Sequence, residues 1–285
     1  MKKTDPDDGD CELNLLPLLL NIYTTRVEKK YITIIMINIY KTNAMKKYTK
    51  NNFDMGGIEV QNIEYPKHIL ICAGTGSGKS NFLSNYLTIS SRGTGTFGHI
   101  TIVCKQSEPI YEMLQEQLGS NLTMITDLKK LLPLEQFGNK SSQQLLVFDD
   151  CVAEKDQSKI EEYFLRGRKH GEGIQICYLS QSYFKTPIFI RQNISYLILL
   201  SLSSDADLSR IMTNYNVGIH KDIFKKIFKN AVSNKMCCFK INIATQDLNK
   251  KFSRNWNEFY QLVDDDNEPL HISQIQIFQG NGLLN

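Results

Sequence analysis

The stretch AGTGSGKS combines three alternating glycines with a lysine and a serine, a pattern suited to holding phosphate. Glycines let successive backbone N–H groups turn toward one centre, and the N-terminus of a following helix adds positive potential there. Lys79 would reach the β- and γ-phosphates of a nucleoside triphosphate, and Ser80 would ligate Mg²⁺. The strict pattern begins with Gly where this chain has Ala73, but Ala is small and we expect a working loop. The residues predicted to bind ATP are Gly74, Thr75, Gly76, Ser77, Gly78, Lys79, Ser80 and Asn81.

Two carboxylates end the apolar stretch LLVFDD, which lies downstream of the glycine-rich loop. Beside a triphosphate, Asp149 is predicted to hold Mg²⁺, and Asp150 to orient or deprotonate the attacking water. The alternative is that both residues only cap a helix. The phosphate loop upstream favours the catalytic interpretation, and the pair therefore predicts hydrolysis of ATP as well as binding.

Polar residues near the next strand complete the candidate site. Gln181 follows the apolar run IQICYLS and is predicted to sense the γ-phosphate, provided that this strand lies between the loop strand and the LLVFDD strand. Arg166 and Arg168 lie at the end of a predicted helix, where cations also suit the helix dipole. The functional alternative is an arginine finger offered to the ATP of a neighbouring subunit, which predicts a ring.

Short apolar runs alternate with helical patterns from residue 67 onward. The runs span 68–73, 99–104, 122–125, 144–150, 174–180, 195–202 and 235–243, and the helix candidates span 79–89, 108–118, 157–167, 205–214 and 221–231. Several runs are apolar on both faces, as in strands that helices cover on each side. This order predicts an α/β fold with a mostly parallel sheet and helices on both faces.

Composition limits the classes of protein to which this chain can belong. The 285 residues are 41% hydrophobic and carry a net charge of +3, so DNA binding would need a local patch rather than overall charge. An odd number of cysteines, seven, without metal-ligand spacing indicates a reducing, intracellular setting. No run reaches the roughly 18 to 20 apolar residues of a membrane span. We therefore expect no membrane partner.

Composition also divides the chain into three segments. Residues 1–50 differ from the rest and are predicted to be an N-terminal extension of unknown role. Residues 51–250 carry the motifs and are predicted to form the ATPase domain, and 251–285 are predicted to be a C-terminal tail.

Together the motifs resemble the genome-packaging ATPases of the FtsK/HerA superfamily, from large DNA viruses, virophages and Polinton elements. The resemblance rests on ICAGTGSGKSNF, LLVFDD and FLRGRKHGEGIQICYLSQSYFKTPIFIRQN, in this order. It implies a P-loop NTPase with a RecA-like core and an additional strand, using ATP and Mg²⁺. It also implies a homo-oligomeric ring, a hexamer, that pumps double-stranded DNA into a preformed capsid and contacts a capsid or portal protein. By the same resemblance the catalytic residues are Asp150, Gln181, Arg168 and Arg166.

Other functions share the phosphate loop. A small-molecule kinase would need an acceptor pocket and lid, and a helicase-like motor would move along DNA without a capsid. A non-hydrolysing, nucleotide-gated capsid component would have an Asp150 that fails as a base. The paired acids and the sensor glutamine favour a DNA-translocating ATPase.

Overall fold

The computed structural model describes residues 62–90, 96–138, 141–202, 204–215, 217–234, 237–262 and strand 275–279. These residues lie in the second of two compact units, which spans 52–285. The predicted N-terminal extension, 1–50, lies outside the described residues.

The described residues form one mixed sheet. Its strands are β1 (Ile69–Cys72), β2 (His99–Cys104), β3 (Leu122–Ile125), β4 (Gln144–Asp149), β5 (Ile174–Ser180), β6 (Tyr196–Leu199), β7 (Phe239–Asn242), β8 (Phe252–Arg254), β9 (Glu258–Leu262) and β10 (Ile275–Gln279). The spatial order is β10-β9-β8-β7-β6-β1-β5-β4-β2-β3. The six strands from β6 to β3 in this order are parallel, and the four at the other end are antiparallel to their neighbours.

Helices cover both faces of the sheet. They are α1 (Lys79–Ser90), α2 (Pro109–Leu118), α3 (Ser158–Arg166), α4 (Ile188–Asn193), α5 (Asp205–Tyr215), α6 (Lys221–Ala231) and α7 (Leu248–Lys251). Alternate strand residues enter two separate cores, as the two-residue period of a strand requires. Leu70 belongs to the core that includes side chains of α3, α5 and α6, whereas Ile71 belongs to the core that includes side chains of α1 and α2. The predicted parallel sheet with helices on both faces is confirmed, and antiparallel strands extend it.

β5, the strand that precedes Gln181, lies between the loop strand and the LLVFDD strand, which is the position that the prediction for Gln181 requires. β5 pairs in parallel with β1 on one side and with β4 on the other. The carboxyl ends of these three strands therefore meet at one edge of the sheet. We call it the carboxyl edge, defined by Cys72, Ser180 and Asp149, and the opposite edge, defined by Ile69, Ile174 and Gln144, is the amino edge.

The sheet continues into the segment that the sequence analysis set apart as a tail. β8 and β9 pair with each other around a turn, with Ser253 opposite Phe259, and β8 also pairs with β7. Asn255 in the turn has a left-handed backbone, with φ of 52°. The strands FSR and EFYQL are short, and polar residues interrupt their apolar ones, so neither forms a continuous apolar run that would predict a strand.

Candidate active site

The glycine-rich loop joins the carboxyl end of β1 to the first turn of α1. Its start is anchored to the neighbouring strands, because Ala73 N donates to Ser180 O at 3.1 Å and Gly74 N donates to Ser201 O at 3.0 Å. Gly76 and Gly78 have φ of 73° and 92°, which a side chain would oppose. Ala73 is not among the residues with positive φ, so alanine is tolerated at that position.

Lys79 and Ser80 occupy the first turn of α1, as the phosphate-loop pattern predicts. The first backbone N–H groups of a helix have no acceptor within the helix and carry its positive dipole end. The loop and the first turn of α1 therefore supply N–H groups, a lysine ammonium and a serine hydroxyl. This arrangement suits a bound polyphosphate.

The start of α2 supplies two residues that the sequence analysis did not identify. Ser80 Oγ donates a hydrogen bond to the Glu108 carboxylate, and Tyr111 OH donates to Asp149 Oδ2 at 2.6 Å. A signal for Glu108 was present in the sequence: it closely follows β2, and acids after adjacent parallel strands share an edge. The register confirms this, because Cys104 at the end of β2 pairs with Asp149.

Asp149 is a buried carboxylate with one free oxygen. Only 6% of the residue is exposed, and Oδ1 has no hydrogen-bond partner among the described residues. Burial raises the pKa of Asp149, the Tyr111 hydrogen bond opposes that rise, and the charges of Asp150 and Glu108 add to it. A buried, unpaired carboxylate oxygen is costly unless a cation or proton binds it.

The oxygens around Asp149 suit Mg²⁺, which needs few protein ligands, better than a metal that protein side chains coordinate alone. Within the described parts of the chain no three His, Cys, Asp or Glu residues are grouped as a ready metal site. Mg²⁺ commonly uses one or two protein oxygens and completes its shell with water and substrate phosphates. Ser80 and Asp149 match that pattern.

A hydrogen-bonded path connects the phosphate loop to the second acid. Thr75 Oγ1 donates to Gln181 Oε1 at 3.2 Å, and Gln181 Nε2 donates to Asp150 Oδ2 at 2.7 Å. Asp150 has a left-handed backbone, with φ of 50° and ψ of 30°, which costs about 1 kcal/mol for a residue other than glycine. Its Oδ1 is buried and has no partner in the described structure. Such strain is common where a side chain is positioned for function.

The two arginines lie away from this path. Arg166 ends α3 and Arg168 follows it, before β5, so both lie toward the amino edge, roughly 20 Å along a seven-residue strand from the carboxyl edge. Arg166 forms ion pairs with Glu162 at 2.7 Å and Glu135 at 3.1 Å. Arg168 is exposed and forms no salt bridge with a described residue. The structure does not bring either arginine to the phosphate loop of its own chain.

A buried carboxylate ties the segment after Gln181 to α5. Asp207 accepts hydrogen bonds from Ser182 Oγ at 3.3 Å, from Tyr183 N at 3.2 Å and from Phe184 N at 3.1 Å. The resulting turn presents Phe184, which is 56% exposed, with the Arg210 guanidinium 4.0 Å from its ring centroid. No local pattern in the sequence marks Asp207 for this task.

Comparison with known proteins supplies the family. The profile of the Poxvirus A32 protein family matches residues 61–254. The chain belongs to this family. The match confirms the resemblance to packaging ATPases of the FtsK/HerA superfamily, and it covers every residue assigned to the candidate site.

Solved structures similar to this chain include a genome packaging NTPase and a conjugation coupling protein. The genome packaging NTPase B204 from Sulfolobus turreted icosahedral virus 2, in complex with ATP-γ-S, is 14% identical with a TM-score of 0.49, covering 68% of this chain and 98% of that one. The pCW3 conjugation coupling protein TcpA is 15% identical with a TM-score of 0.46, covering 70% of this chain and 60% of that one. No curated protein sequence matches the chain significantly. Within the described residues, no helix has the length and apolar character needed to cross a bilayer.

Proposed function

We propose that this A32-family chain is an ATPase that drives double-stranded DNA into a viral or virus-like capsid. The observation that carries the proposal is the path from Thr75 through Gln181 to Asp150 at the end of a phosphate loop. Nucleotide binding alone does not require hydrogen bonds that connect the phosphate loop to a carboxylate. Hydrolysis requires a positioned base and a group that contacts the γ-phosphate.

Each side chain has a defined task in this proposal. Lys79 and the loop N–H groups bind the β- and γ-phosphates of ATP. Mg²⁺, held by Ser80 and Asp149, would neutralise phosphate charge when bound. Asp150 Oδ1 accepts a proton from the attacking water, and Gln181 orients that water while its amide holds the other Asp150 oxygen.

The arginine finger acts between subunits. Because Arg166 and Arg168 lie at the amino edge, neither can stabilise the transferring phosphoryl group of its own chain. We assign the finger to Arg168, since Arg166 is already engaged by two glutamates. This assignment requires a homo-oligomeric ring, for which we propose a hexamer.

Mixed rings test the finger. Adding Arg168→Ala subunits to wild-type subunits should reduce ATPase activity more steeply than dilution does, because each variant subunit disables its neighbour. Arg166→Ala, the matched control, should leave activity unchanged at every mixing ratio, because it loses only the exposed ion pairs with Glu162 and Glu135. A proportional loss with Arg168→Ala would rule out the role between subunits.

The turn after Gln181 is the proposed contact with DNA. Lys185 and Arg210 offer positive charge around the exposed Phe184, and the turn follows the sensor residue directly. Cations that contact phosphates give salt-dependent binding without sequence preference, as a motor needs. A rearrangement of Gln181 on hydrolysis would move this turn. A capsid or portal protein would be the further partner, at an intracellular assembly site.

Phosphate release from Mg²⁺-ATP, with and without long double-stranded DNA, tests the function. We expect DNA to stimulate the rate, added salt to reduce the stimulation, and Lys79→Ala and Asp150→Ala to abolish it. An equally slow rate in wild type and Asp150→Ala, without stimulation, would contradict the proposal. A rate that depends on a small acceptor molecule and not on DNA would indicate a kinase.

A further inference from the structure

A cavity of about 360 Å³ opens beside the phosphate loop. Gly78 and Asn81 form its wall toward the loop, and Leu200, after the end of β6, contributes to its floor. The turn between β8 and β9, residues 255–257, closes the far side. Its volume lies in the range of small-ligand sites.

The cavity and the acids lie on opposite sides of the phosphate loop. In the sheet, β5 and β4 flank β1 on one side and carry Gln181 and the aspartates at their ends. The cavity is built from β6 and from the segments next to β7 and β8, on the other side of β1. A triphosphate whose γ-phosphate faces Asp150 therefore has its nucleoside end directed toward the cavity.

Packing and hydrogen bonds hold the residues around the cavity in place. Phe82 and Leu200 are buried, and Trp256 packs on Phe82 with ring centroids 4.8 Å apart. The turn is held from below, because Lys240 Nζ, on a residue only 2% exposed, donates to Trp256 O at 2.5 Å. Asn255 Oδ1 accepts from Cys238 N at 3.2 Å, which joins the turn to the segment before β7.

One polar group in the turn has no task within the chain. Asn257 lines the cavity, and its carboxamide makes no hydrogen bond to any residue that the structure describes. A carboxamide offers one donor beside one acceptor. The edge of adenine offers the complementary pair, an amino group beside a ring nitrogen, and Asn is a common partner for it.

We propose that this cavity binds the base of the nucleotide, with the Asn257 carboxamide paired to the edge of adenine and the apolar floor against the ring. The inference rests on the proposed function, because it assumes that the phosphate loop holds ATP. It adds a residue that selects the base, on the opposite side of the loop from the acids.

Titration of the full chain with three Mg²⁺-bound ligands tests this inference: ATP, GTP and inorganic tripolyphosphate, which lacks a nucleoside. We expect wild type to bind ATP at least about tenfold more tightly than tripolyphosphate, because one good bidentate base contact gives about that factor. Asn257→Ala should weaken ATP binding about tenfold and leave tripolyphosphate binding unchanged. Asn121→Ala, which removes an exposed amide beside β3, is the matched control and should change neither.

Asn257→Asp provides a second test, in which selectivity between adenine and guanine should change. A carboxylate only accepts hydrogen bonds, so it loses the ring nitrogen of adenine but accepts two N–H groups of guanine. The ratio of ATP affinity to GTP affinity should therefore fall by about tenfold or more. Unchanged selectivity in this variant would overturn the assignment of Asn257.

The comparison of ATP with tripolyphosphate uses wild type alone, so it does not depend on whether a variant folds. Equal affinity for ATP and tripolyphosphate would overturn the base site while leaving the phosphate loop intact. Triphosphate binding that survives Lys79→Ala, or is missing in wild type, would instead overturn the proposed function and the base site with it. The two failures are thus distinguishable.

Discussion

The two edges of the parallel sheet satisfy their polar groups in different ways. At the amino edge, His68 Nε2 donates to Phe164 O at 3.1 Å and His68 Nδ1 accepts from Ile176 N at 3.3 Å. Tyr65 OH donates to Gly173 O and accepts from Gln144 N. At the carboxyl edge, buried oxygens of Asp149 and Asp150 have no partner among the described residues.

The difference indicates that polar groups at the amino edge stabilise the fold, whereas those at the carboxyl edge are placed for a ligand. Buried polar groups are normally hydrogen-bonded, because an unpaired one costs about 1–3 kcal/mol. At the amino edge, His68 and Tyr65 meet that requirement with residues of the chain itself. The carboxyl edge leaves it to a ligand, and it holds Asp150 in a strained backbone conformation. Substitutions at the two edges should therefore have opposite effects on stability and on activity.

The largest expected effect is at the carboxyl edge, on rate alone. Asp150→Asn keeps the size of the side chain and its tolerance of a left-handed backbone, but it removes the proposed base, so kcat should fall by about 100-fold or more. The free energy of unfolding should change by less than about 0.5 kcal/mol. Phosphate release and urea unfolding measure the two quantities.

Asp156→Asn is the matched control for that substitution. Asp156 is an exposed carboxylate before α3, where it accepts from Ser158 N at 3.0 Å. Its loss should leave kcat within twofold. More than a tenth of wild-type activity in Asp150→Asn would contradict the role assigned to that acid.

His68→Ala should have the reverse effect at the amino edge. The substitution leaves Phe164 O and Ile176 N unpaired and opens a cavity, so unfolding should be easier by about 3 kcal/mol. Affinity for tripolyphosphate should stay within twofold at a temperature where the variant is folded. His99→Ala, at a half-exposed residue that starts β2, should cost under about 0.5 kcal/mol. Equal losses in both variants would remove the distinction between buried and exposed histidines.

The pH dependence of stability should also originate at the amino edge. Burial lowers the pKa of His68 to about 3, and the charge of Arg168 adds to the effect. Below the ordinary histidine pKa of about 6.5 the unfolded chain binds a proton that the folded chain excludes, so stability falls as pH falls. From pH 7 to pH 5 the loss should be about 2 kcal/mol.

The raised pKa of Asp149 works in the opposite direction. Its folded form holds a proton more tightly than the unfolded chain does, so its contribution to stability grows on acidification and is lost as pH rises. The difference in pH profile between wild type and His68→Ala isolates the histidine. A variant that keeps the full acid slope would show that another group carries it.

The smallest expected effect is at Tyr111. Tyr111→Phe removes the hydrogen bond to Asp149 Oδ2, worth about 1 kcal/mol, and raises the pKa of that carboxyl further. The Mg²⁺ concentration for half-maximal ATPase activity should rise about fivefold at pH 7, and by more at lower pH, where protons compete with the metal. Tyr163 lies on α3, and its hydroxyl donates to Leu132 O at 2.9 Å. Tyr163→Phe, which removes that hydroxyl, is the matched control. An unchanged Mg²⁺ requirement would exclude Tyr111 as a positioning residue.

Most of the parallel sheet was predictable because its strands are continuous apolar runs. Each of the seven predicted runs contains or overlaps a strand, from β1 to β7, and each of the five helix candidates corresponds to a helix. The hairpin of β8 and β9, the strand β10 and the short helices α4 and α7 were missed. The residues of the hairpin and of α4 lack a long apolar run or a clear helical period, and pairing with β7 or packing on α3 stabilises them instead.

The candidate site likewise contains residues that local patterns predicted and residues that they did not. The phosphate loop and the aspartate pair are local patterns, so spacing alone predicted them. Glu108, Tyr111 and Asp207 act through partners 28, 38 and up to 25 residues away. Residue type alone gave no reason to select Tyr111 or Asp207.

By itself, the sequence determined the chemistry that this chain offers: a glycine-rich loop that leads into a helix, paired acids after an apolar strand, and a glutamine after the next. These are short-range features, and the backbone and charge requirements of phosphate dictate them. Only the tertiary structure decided which groups meet. Strand order placed Gln181 between the loop and Asp150, put the arginines at the far edge, and built a cavity from the hairpin beside β7, because pairing between distant strands depends on packing of the whole sheet rather than on any local pattern.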